Sequence, residues 1–182
     1  MRAALTSLLG LLTGCALFTP RPADPGLFLL PPSAAGRQAS LAQSVTMTSD
    51  KGATFEALTA VEIDPRWLRV AALGPMGNRI LFLDWDGKRY QEERDPHLPA
   101  DFPLKVVLRD LELSLFPAAA VRKALPSGDW ALLEKPRLRV LTLDGKPVIR
   151  IEYSTDDPWT STVNFRHLTY GYRLEVRPAE AE

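Results

Sequence analysis

The chain has 182 residues, of which 46% are hydrophobic, and its 22 basic side chains are balanced by 22 acidic ones. This composition is typical of one globular domain, and the zero net charge argues against a nucleic-acid-binding protein, which usually presents a basic surface. A single cysteine excludes a disulfide within the chain, and the two histidines, His97 and His167, lack metal-ligand spacing. We therefore expect no metal site and no cofactor, and we place both histidines at the surface.

Residues 1–14 have the layout of a secretory signal. Arg2 precedes an apolar run from Ala3 to Leu12, which is shorter than the roughly 20 residues that span a bilayer. The run ends close to the only cysteine, Cys15. The stretch Leu-Thr-Gly-Cys resembles the lipobox of bacterial lipoproteins, and this resemblance implies cleavage before the cysteine and three acyl chains on it. The alternative is a stray cysteine in an ordinary signal peptide.

The lipobox resemblance also implies a location. Ala16 follows the cysteine, whereas lipoproteins retained in the inner membrane commonly have aspartate there. The implied location is the outer membrane, with the protein facing the periplasm and held by several acyl chains, each buried methylene contributing about 0.8 kcal/mol. The proline-rich residues 15–26 predict an extended tether, residues 27–178 a folded domain and residues 179–182 a tail.

From Ser40 to Tyr90 the pattern predicts an antiparallel meander. In ATFEALTAVEI, apolar and polar residues alternate, as in a strand with one solvent-facing side. The strands RWLRVAAL and NRILFLDW follow, and Asp86-Gly87 predicts a hairpin with a two-residue turn. In NRILFLDW both sides are apolar, so we expect both faces of this strand to be covered.

A helical insertion follows in DFPLKVVLRDLELSLF. Its leucines and valines recur at helical spacing along one stripe, with Arg109 and Glu112 on the opposite, polar side. We expect this helix over residues 101–115, with Asp101 as its N-cap. A second, short helix is predicted over residues 117–125.

Strands resume after the helices, and Asp144-Gly145 predicts a second tight hairpin. The final strands include VNFRHLT and YRLEVR, the latter with one dry side. Strands without long intervening helices exclude a parallel doubly wound sheet. The predicted fold class is mainly β with α, namely a single curved antiparallel sheet, an open half-barrel, wrapped around a helical plug or lid.

The stretch ALGPMGNRILFL resembles the strand, Pro-hydrophobe-Gly turn and strand of the LolA/LolB family of lipoprotein carriers. In LolB, the outer-membrane member, the hydrophobe of that turn protrudes and helps to pass lipoprotein to the membrane; the matching residues here are Pro75, Met76 and Gly77. The helix, proline and second helix of LolB resemble residues 101–125. The alternative for the turn is an ordinary one whose methionine folds back onto the domain.

The chain is also similar to a family of uncharacterised Gram-negative lipoproteins. Members of that family often lie beside genes for aryl-polyene or fatty-acid-like lipid synthesis and for a lipid exporter. The resemblance therefore implies a lipid or a lipoprotein acyl chain as cargo.

A curved sheet with a helical cap can enclose a cavity, for which acyl chains are natural contents. The predicted lining is Phe82, Leu104, Leu108, Leu111 and Leu115, with Phe55 and Trp67 as further candidates. The alternative is a packed core built from the same stripe, because periodicity does not distinguish a filled interior from an open one.

We expect a monomeric, non-enzymatic carrier that receives its cargo from a periplasmic LolA-like donor or a lipid exporter and transfers it to the outer membrane. One alternative is a scaffolding lipoprotein with a filled core, in which the loop around Trp159 binds another envelope protein. The other is a lipid-modifying enzyme, but GxSxG is absent from the sequence. Of its candidate carboxylates, Asp84 and Asp86 flank a hairpin turn, and Asp156 and Asp157 precede Pro158 in a loop; aspartate is expected at such places for backbone reasons.

Overall fold

The alternation of apolar and polar residues produces strands, interrupted once by a pair of helices. The computed structural model of the chain describes residues 25–26, 28–98 and 102–179. The strands of the first half are β1 (Ala39–Ser49), β2 (Thr54–Asp64), β3 (Trp67–Leu73), β4 (Arg79–Trp85) and β5 (Tyr90–Arg94). The helices are α1 (Leu104–Leu115) and α2 (Ala118–Ala124). The strands of the second half are β6 (Trp130–Lys135), β7 (Leu138–Leu143), β8 (Lys146–Tyr153), β9 (Val163–His167) and β10 (Tyr172–Pro178).

All these strands belong to one 10-stranded sheet, in the order β5-β4-β3-β2-β1-β10-β9-β8-β7-β6. Each half is an antiparallel meander, and the halves join where β1 pairs with β10, from Gln43 opposite Pro178 to Ser49 opposite Tyr172. The sheet is not closed, because β5 and β6 lie at its two margins. The prediction of a single antiparallel sheet with helices is confirmed.

The turns of the sheet lie at two opposite ends, which we name after one residue in each. The Met76 end carries the turns 50–53, 74–78, 144–145 and 168–171. The Leu30 end carries the turns 65–66, 86–89, 136–137 and 154–162. Leu30 lies there because its carbonyl accepts a hydrogen bond of 2.7 Å from Nε1 of Trp85, the last residue of β4.

The two predicted hairpins form, but their turns differ. Asp144 and Gly145, both with positive φ (50° and 72°), make the expected two-residue turn between β7 and β8. Between β4 and β5 the loop is longer, because the Asp86 carboxylate accepts the backbone N–H groups of Lys88 and Arg89 at 2.8 and 2.7 Å. The hairpin at Asp86 is confirmed, whereas the two-residue turn predicted for it is wrong.

Helix α1 packs inside the curve of the sheet and is buried around most of its circumference. The helix begins at Leu104 with Pro103 at the N-cap position, so its predicted start at residue 101 with Asp101 as N-cap is wrong; Asp101 itself lies outside the described residues. The second helix forms as predicted after Pro117. The polar side predicted for α1 does not face solvent, since Arg109 and Glu112 are 1% and 0% exposed. The prediction of a polar surface on this side is therefore wrong. The chain segment before β1 covers Glu112, whose Oε2 accepts the N–H of Leu30 at 3.0 Å.

The C-terminal turn of α1 is attached to the second half of the sheet. Arg139 on β7 donates from Nη1 to the carbonyl groups of Leu113, Ser114 and Phe116 at 3.0, 3.3 and 2.7 Å. The hydroxyl of Tyr153 on β8 donates to the Ser114 carbonyl at 2.7 Å. Carbonyl groups at a helix end have no partner within the helix, so these two side chains fix the position of α1.

The buried Glu112 carboxyl makes stability depend on pH. Burial raises its pKa to about 8, against the opposing effect of the Leu30 N–H. Its Oε1 atom has no hydrogen-bond partner among the described residues. The folded protein therefore holds this proton at neutral pH, whereas the unfolded chain releases it.

Glu112→Gln should remove this dependence while keeping an oxygen to accept the Leu30 N–H. Because the folded-state pKa lies above the unfolded value of 4.5, the free energy of unfolding of the wild type should fall between about pH 4.5 and pH 8, by up to ~1.4 kcal/mol per pH unit. Urea denaturation of both proteins across that interval measures the difference, in which other titrating groups cancel. Parallel pH profiles would contradict the assignment.

Candidate functional site

An apolar cavity of about 350 Å³ lies between the sheet and α1. This volume falls within the range of roughly 300–1,000 Å³ typical of ligand sites, and packed cores leave few voids larger than a water molecule. The sheet contributes Gln43, Val45, Met47, Phe55, Ala57, Thr59, Val61, Val70, Ala72, Leu81, Val163, Phe165, Tyr172, Leu174 and Val176. The helix and the residues before it contribute Phe102, Pro103, Val106, Val107, Asp110, Leu111, Ser114 and Leu115.

Strand alternation accounts for most of this lining. On β2 every second residue from Phe55 to Val61 borders the cavity, and on β10 every second residue from Tyr172 to Val176 does so. These are the apolar sides that the sequence pattern predicts. Because β1 and β10 are paired, the lining is continuous across the junction of the two meanders.

The helix residues predicted for the lining divide into two groups. Leu111 and Leu115 border the cavity, together with Phe55 from the sheet. Leu104 and Leu108 do not border it; they are 2% and 0% exposed and belong to the packed core. They lie on the same side of α1 as Glu112, which bonds to Leu30 in the segment before β1. The predicted stripe of leucines therefore contributes some residues to the packed core and others to the cavity.

Phe82 and Trp67 lie on the opposite face of the sheet from the cavity. Leu81 lines the cavity, so its neighbour Phe82 points outward, where the Arg79 guanidinium is 5.6 Å from its ring centroid. Trp67 lies near two arginine guanidinium groups, at 4.2 and 4.8 Å from its ring. Placing these two aromatic residues in the lining is therefore wrong, and the β4 residue that borders the cavity is Leu81.

One polar group inside the cavity is already paired with the protein. Asp110 accepts hydrogen bonds from the Tyr172 hydroxyl and, at 3.1 and 3.0 Å, from Nε and Nη2 of Arg109. Burial raises the pKa of Asp110, and burial together with the nearby Asp110 carboxylate raises the pKa of Tyr172. The Ser114 hydroxyl donates to the Asp110 carbonyl at 2.7 Å. This cluster joins α1 to β10.

A further polar residue of the lining is Gln43 on β1, which sequence analysis does not identify. It is 7% exposed and borders the cavity, and its backbone carbonyl accepts the Thr59 hydroxyl at 3.3 Å. Its side-chain amide forms no hydrogen bond with another described residue. The sequence does contain a signal for Gln43. It shares the strand alternation of the inward residues Val45 and Met47.

His97, His167 and the turn residue Asp157 each have partners within the described protein. His97 is exposed, as predicted, whereas the surface location predicted for His167 is wrong, since it is 0% exposed and packs against Tyr172. Asp157 accepts the backbone N–H of Trp159 at 3.1 Å, which is a turn role. Within the described ranges, no three His, Cys, Asp or Glu side chains are placed to hold a metal ion.

Trp159 is not an exposed anchor. It is 8% exposed at the Leu30 end of the sheet, with the Arg37 guanidinium 5.0 Å from its ring centroid. The Trp159 side chain is therefore buried at the end of the sheet. A partner of the loop around Trp159 would not contact the indole ring directly.

The exposure predicted for Met76 is confirmed. Its side chain is 91% exposed at the tip of a turn in which the Gly77 N–H donates to the Gly74 carbonyl at 2.9 Å. Gly77 has a φ of 76°, a conformation that glycine adopts without strain. Leu168 and Tyr170, in the turn between β9 and β10, are 41% and 47% exposed at the same end of the sheet.

The fold and the cavity define a class of protein, an open antiparallel sheet with two helices around an apolar interior. Within this class, the chain belongs to the family described as "Protein of unknown function (DUF3261)", whose model matches residues 40–180. The matched region runs from β1 to the end of β10 and contains the cavity. No curated protein matches the chain. In the part of the chain that the structure describes, neither helix is long and apolar enough to cross a membrane.

An open cavity predicts that extra side-chain volume is tolerated at Ala57, which borders it. Ala57→Leu should change the free energy of unfolding by less than about 1 kcal/mol, because the added carbons enter empty space. The matched control is Ala35→Leu, at a residue that is 3% exposed and away from the cavity, where overpacking should cost about 1–3 kcal/mol. Chemical denaturation compares the two variants, and equal destabilisation would argue for a filled interior.

Proposed function

We propose that this protein is a LolA/LolB-like outer-membrane lipoprotein that shelters the apolar chain of a lipid or lipoprotein and transfers it to the membrane. The observation that carries the proposal is the apolar cavity of about 350 Å³ between the sheet and α1. Aliphatic and aromatic side chains from both halves of the sheet surround it. Such a lining favours a ligand that water solvates poorly, and an acyl chain meets that requirement.

Exposed apolar side chains at the Met76 end support contact with a membrane. Met76, Leu168 and Tyr170 extend from two separate turns at this end. Burying Met76 in lipid contributes at most about 1.5–3 kcal/mol, which suits reversible contact and not permanent attachment. The Met76 turn therefore serves transfer, while attachment belongs to the acyl chains on Cys15.

Two arginines near the same end add electrostatic attraction to a bilayer. Arg166 on β9 and Arg173 on β10 are cross-strand neighbours on the outer face of the sheet, and both are exposed. Neither has an acidic partner within 4.0 Å among the described residues. Each basic side chain near an anionic membrane surface contributes about 1 kcal/mol.

Transfer in this proposal needs no chemical step. The sequence has no Gly-rich phosphate-binding loop that would couple transfer to nucleotide hydrolysis. The direction then follows from affinity, with the cargo passing from a LolA-like donor or a lipid exporter to this protein and finally into the bilayer. The protein acts as a monomer anchored in the outer membrane and facing the periplasm.

The cavity is tested by purifying the chain from Ala16 onward, which lacks Cys15 but keeps every described residue, from the periplasm under gentle conditions. Native mass spectrometry should show a bound lipid at near-stoichiometric amount, and its mass would give the cargo class. Ala57→Phe, which places a ring in the cavity, should reduce the bound fraction severalfold without unfolding the protein. A purely apo mass, together with no uptake of added lipids, would contradict the carrier function.

Met76→Glu should impair delivery without affecting cargo binding. A charge at the tip of the turn is costly to bring into lipid, so transfer of a bound fluorescent lipid to vesicles should slow by about tenfold. Leu133→Glu is the matched control, because Leu133 is a 54% exposed apolar residue on β6. Transfer rates that are equal in the two variants would remove the Met76 turn from the mechanism.

A further inference from the structure

Gln43 differs from the other polar side chains of the cavity. The hydroxyls of Thr59, Ser114 and Tyr172 and the carboxylate of Asp110 each form hydrogen bonds with the protein. The Gln43 amide, in a residue that is more than nine-tenths buried, forms none with another described residue. A primary amide offers two N–H donors and an oxygen acceptor, and these atoms of Gln43 keep some accessible surface, since they are not among the fully buried unpaired atoms.

The position of Gln43 directs these groups toward the ligand. Gln43 lies on β1 with the inward residues Val45 and Met47, and its cross-strand neighbour on β2 is the lining residue Thr59. The Thr59 hydroxyl donates to the Gln43 backbone carbonyl and forms no hydrogen bond with the Gln43 amide. The amide is therefore a polar group without a protein partner among the described residues, in a largely apolar wall.

The charge of the lining limits what Gln43 can recognise. None of the described residues that border the cavity is lysine or arginine, and the only charged type among them is Asp110. An ionised carboxylate or phosphate held at Gln43 would be buried without a lining counter-ion, which is strongly unfavourable. A neutral acceptor, such as the carbonyl oxygen of an ester or amide, carries no such penalty.

We infer that the cavity selects acyl chains that carry a neutral ester or amide carbonyl, and that the Gln43 side-chain N–H groups bind this carbonyl. This inference rests on the proposed function, because it assigns a ligand class to the same cavity. Gln43 determines specificity here, while the apolar lining supplies most of the affinity. A free fatty acid, whose head is ionised at neutral pH, is discriminated against.

The test uses three fluorescent probes with the chain from Ala16 onward: cis-parinaric acid, its methyl ester, and the hydrocarbon diphenylhexatriene. The wild type should bind the methyl ester more tightly than the free acid at pH 8. Gln43→Leu should weaken ester binding by about 5- to 10-fold, the worth of one buried hydrogen bond, and leave diphenylhexatriene within about twofold. Gln43→Met serves as a second apolar replacement, and thermal unfolding reports whether each variant folds.

Gln91→Leu is the matched control, since it makes the same replacement at an exposed glutamine of β5 that does not border the cavity; it should leave all three affinities within about twofold. If wild-type protein binds the probes but Gln43→Leu does not weaken ester binding selectively, the role of Gln43 is overturned while the carrier function stands. Tighter binding of the free acid than of the ester overturns the neutral-ligand assignment. Failure of the wild type to bind any probe overturns the proposed function itself.

Discussion

The pairing of β1 with β10 holds the domain together, because it joins two meanders that are far apart in sequence. Through this pairing, inward residues of both halves form one wall, with Val45 opposite Val176 and Met47 opposite Leu174. Loss of the pairing would divide the cavity lining between two separate sheets. Since the paired strands come from the two ends of the described chain, the wall is complete only when the whole domain has folded, and such long-range pairing is intrinsically slow.

Helix α1 keeps the interior open because polar contacts, and not only apolar packing, hold it against the sheet. Arg139 binds the carbonyls at its C-terminal turn, Tyr172 binds Asp110 in its middle, and Glu112 binds the chain at Leu30. A helix held only by hydrophobic contacts would settle deeper until the void closed, since dispersion contacts favour dense packing. The buried polar groups thus set the distance between helix and sheet, and the cavity is the space that this distance leaves.

Much of the fold can be predicted from local sequence patterns. Which residues border the cavity cannot be predicted in this way. Strand alternation, the Asp144-Gly145 turn and the two helices depend on neighbouring residues and were predictable. A helical stripe shows which side of α1 is apolar, but not whether that side meets a packed core or a void, so it places Leu108 in the lining. Both sides of β4 are apolar, so the position of Phe82 follows only from the pairing with β3, which decides which side faces inward. His167 and Gln43 show the same limit for polar residues, whose burial depends on distant partners.

The opposite locations of Leu30 and Met76 limit where an anchored domain can work. Leu30, which is fixed by one hydrogen bond to Glu112 of α1 and one to Trp85 of β4, lies at the end away from the Met76 turn. The 11 residues of β1 give the sheet a length of about 36 Å. The chain from Cys15 to Leu30 reaches at most about 50 Å when fully extended. In the function we propose, an acylated Cys15 would let the Met76 end touch the membrane only if this chain spanned the length of the domain, so the protein would serve a thin layer next to its own bilayer and cargo would have to be brought to it.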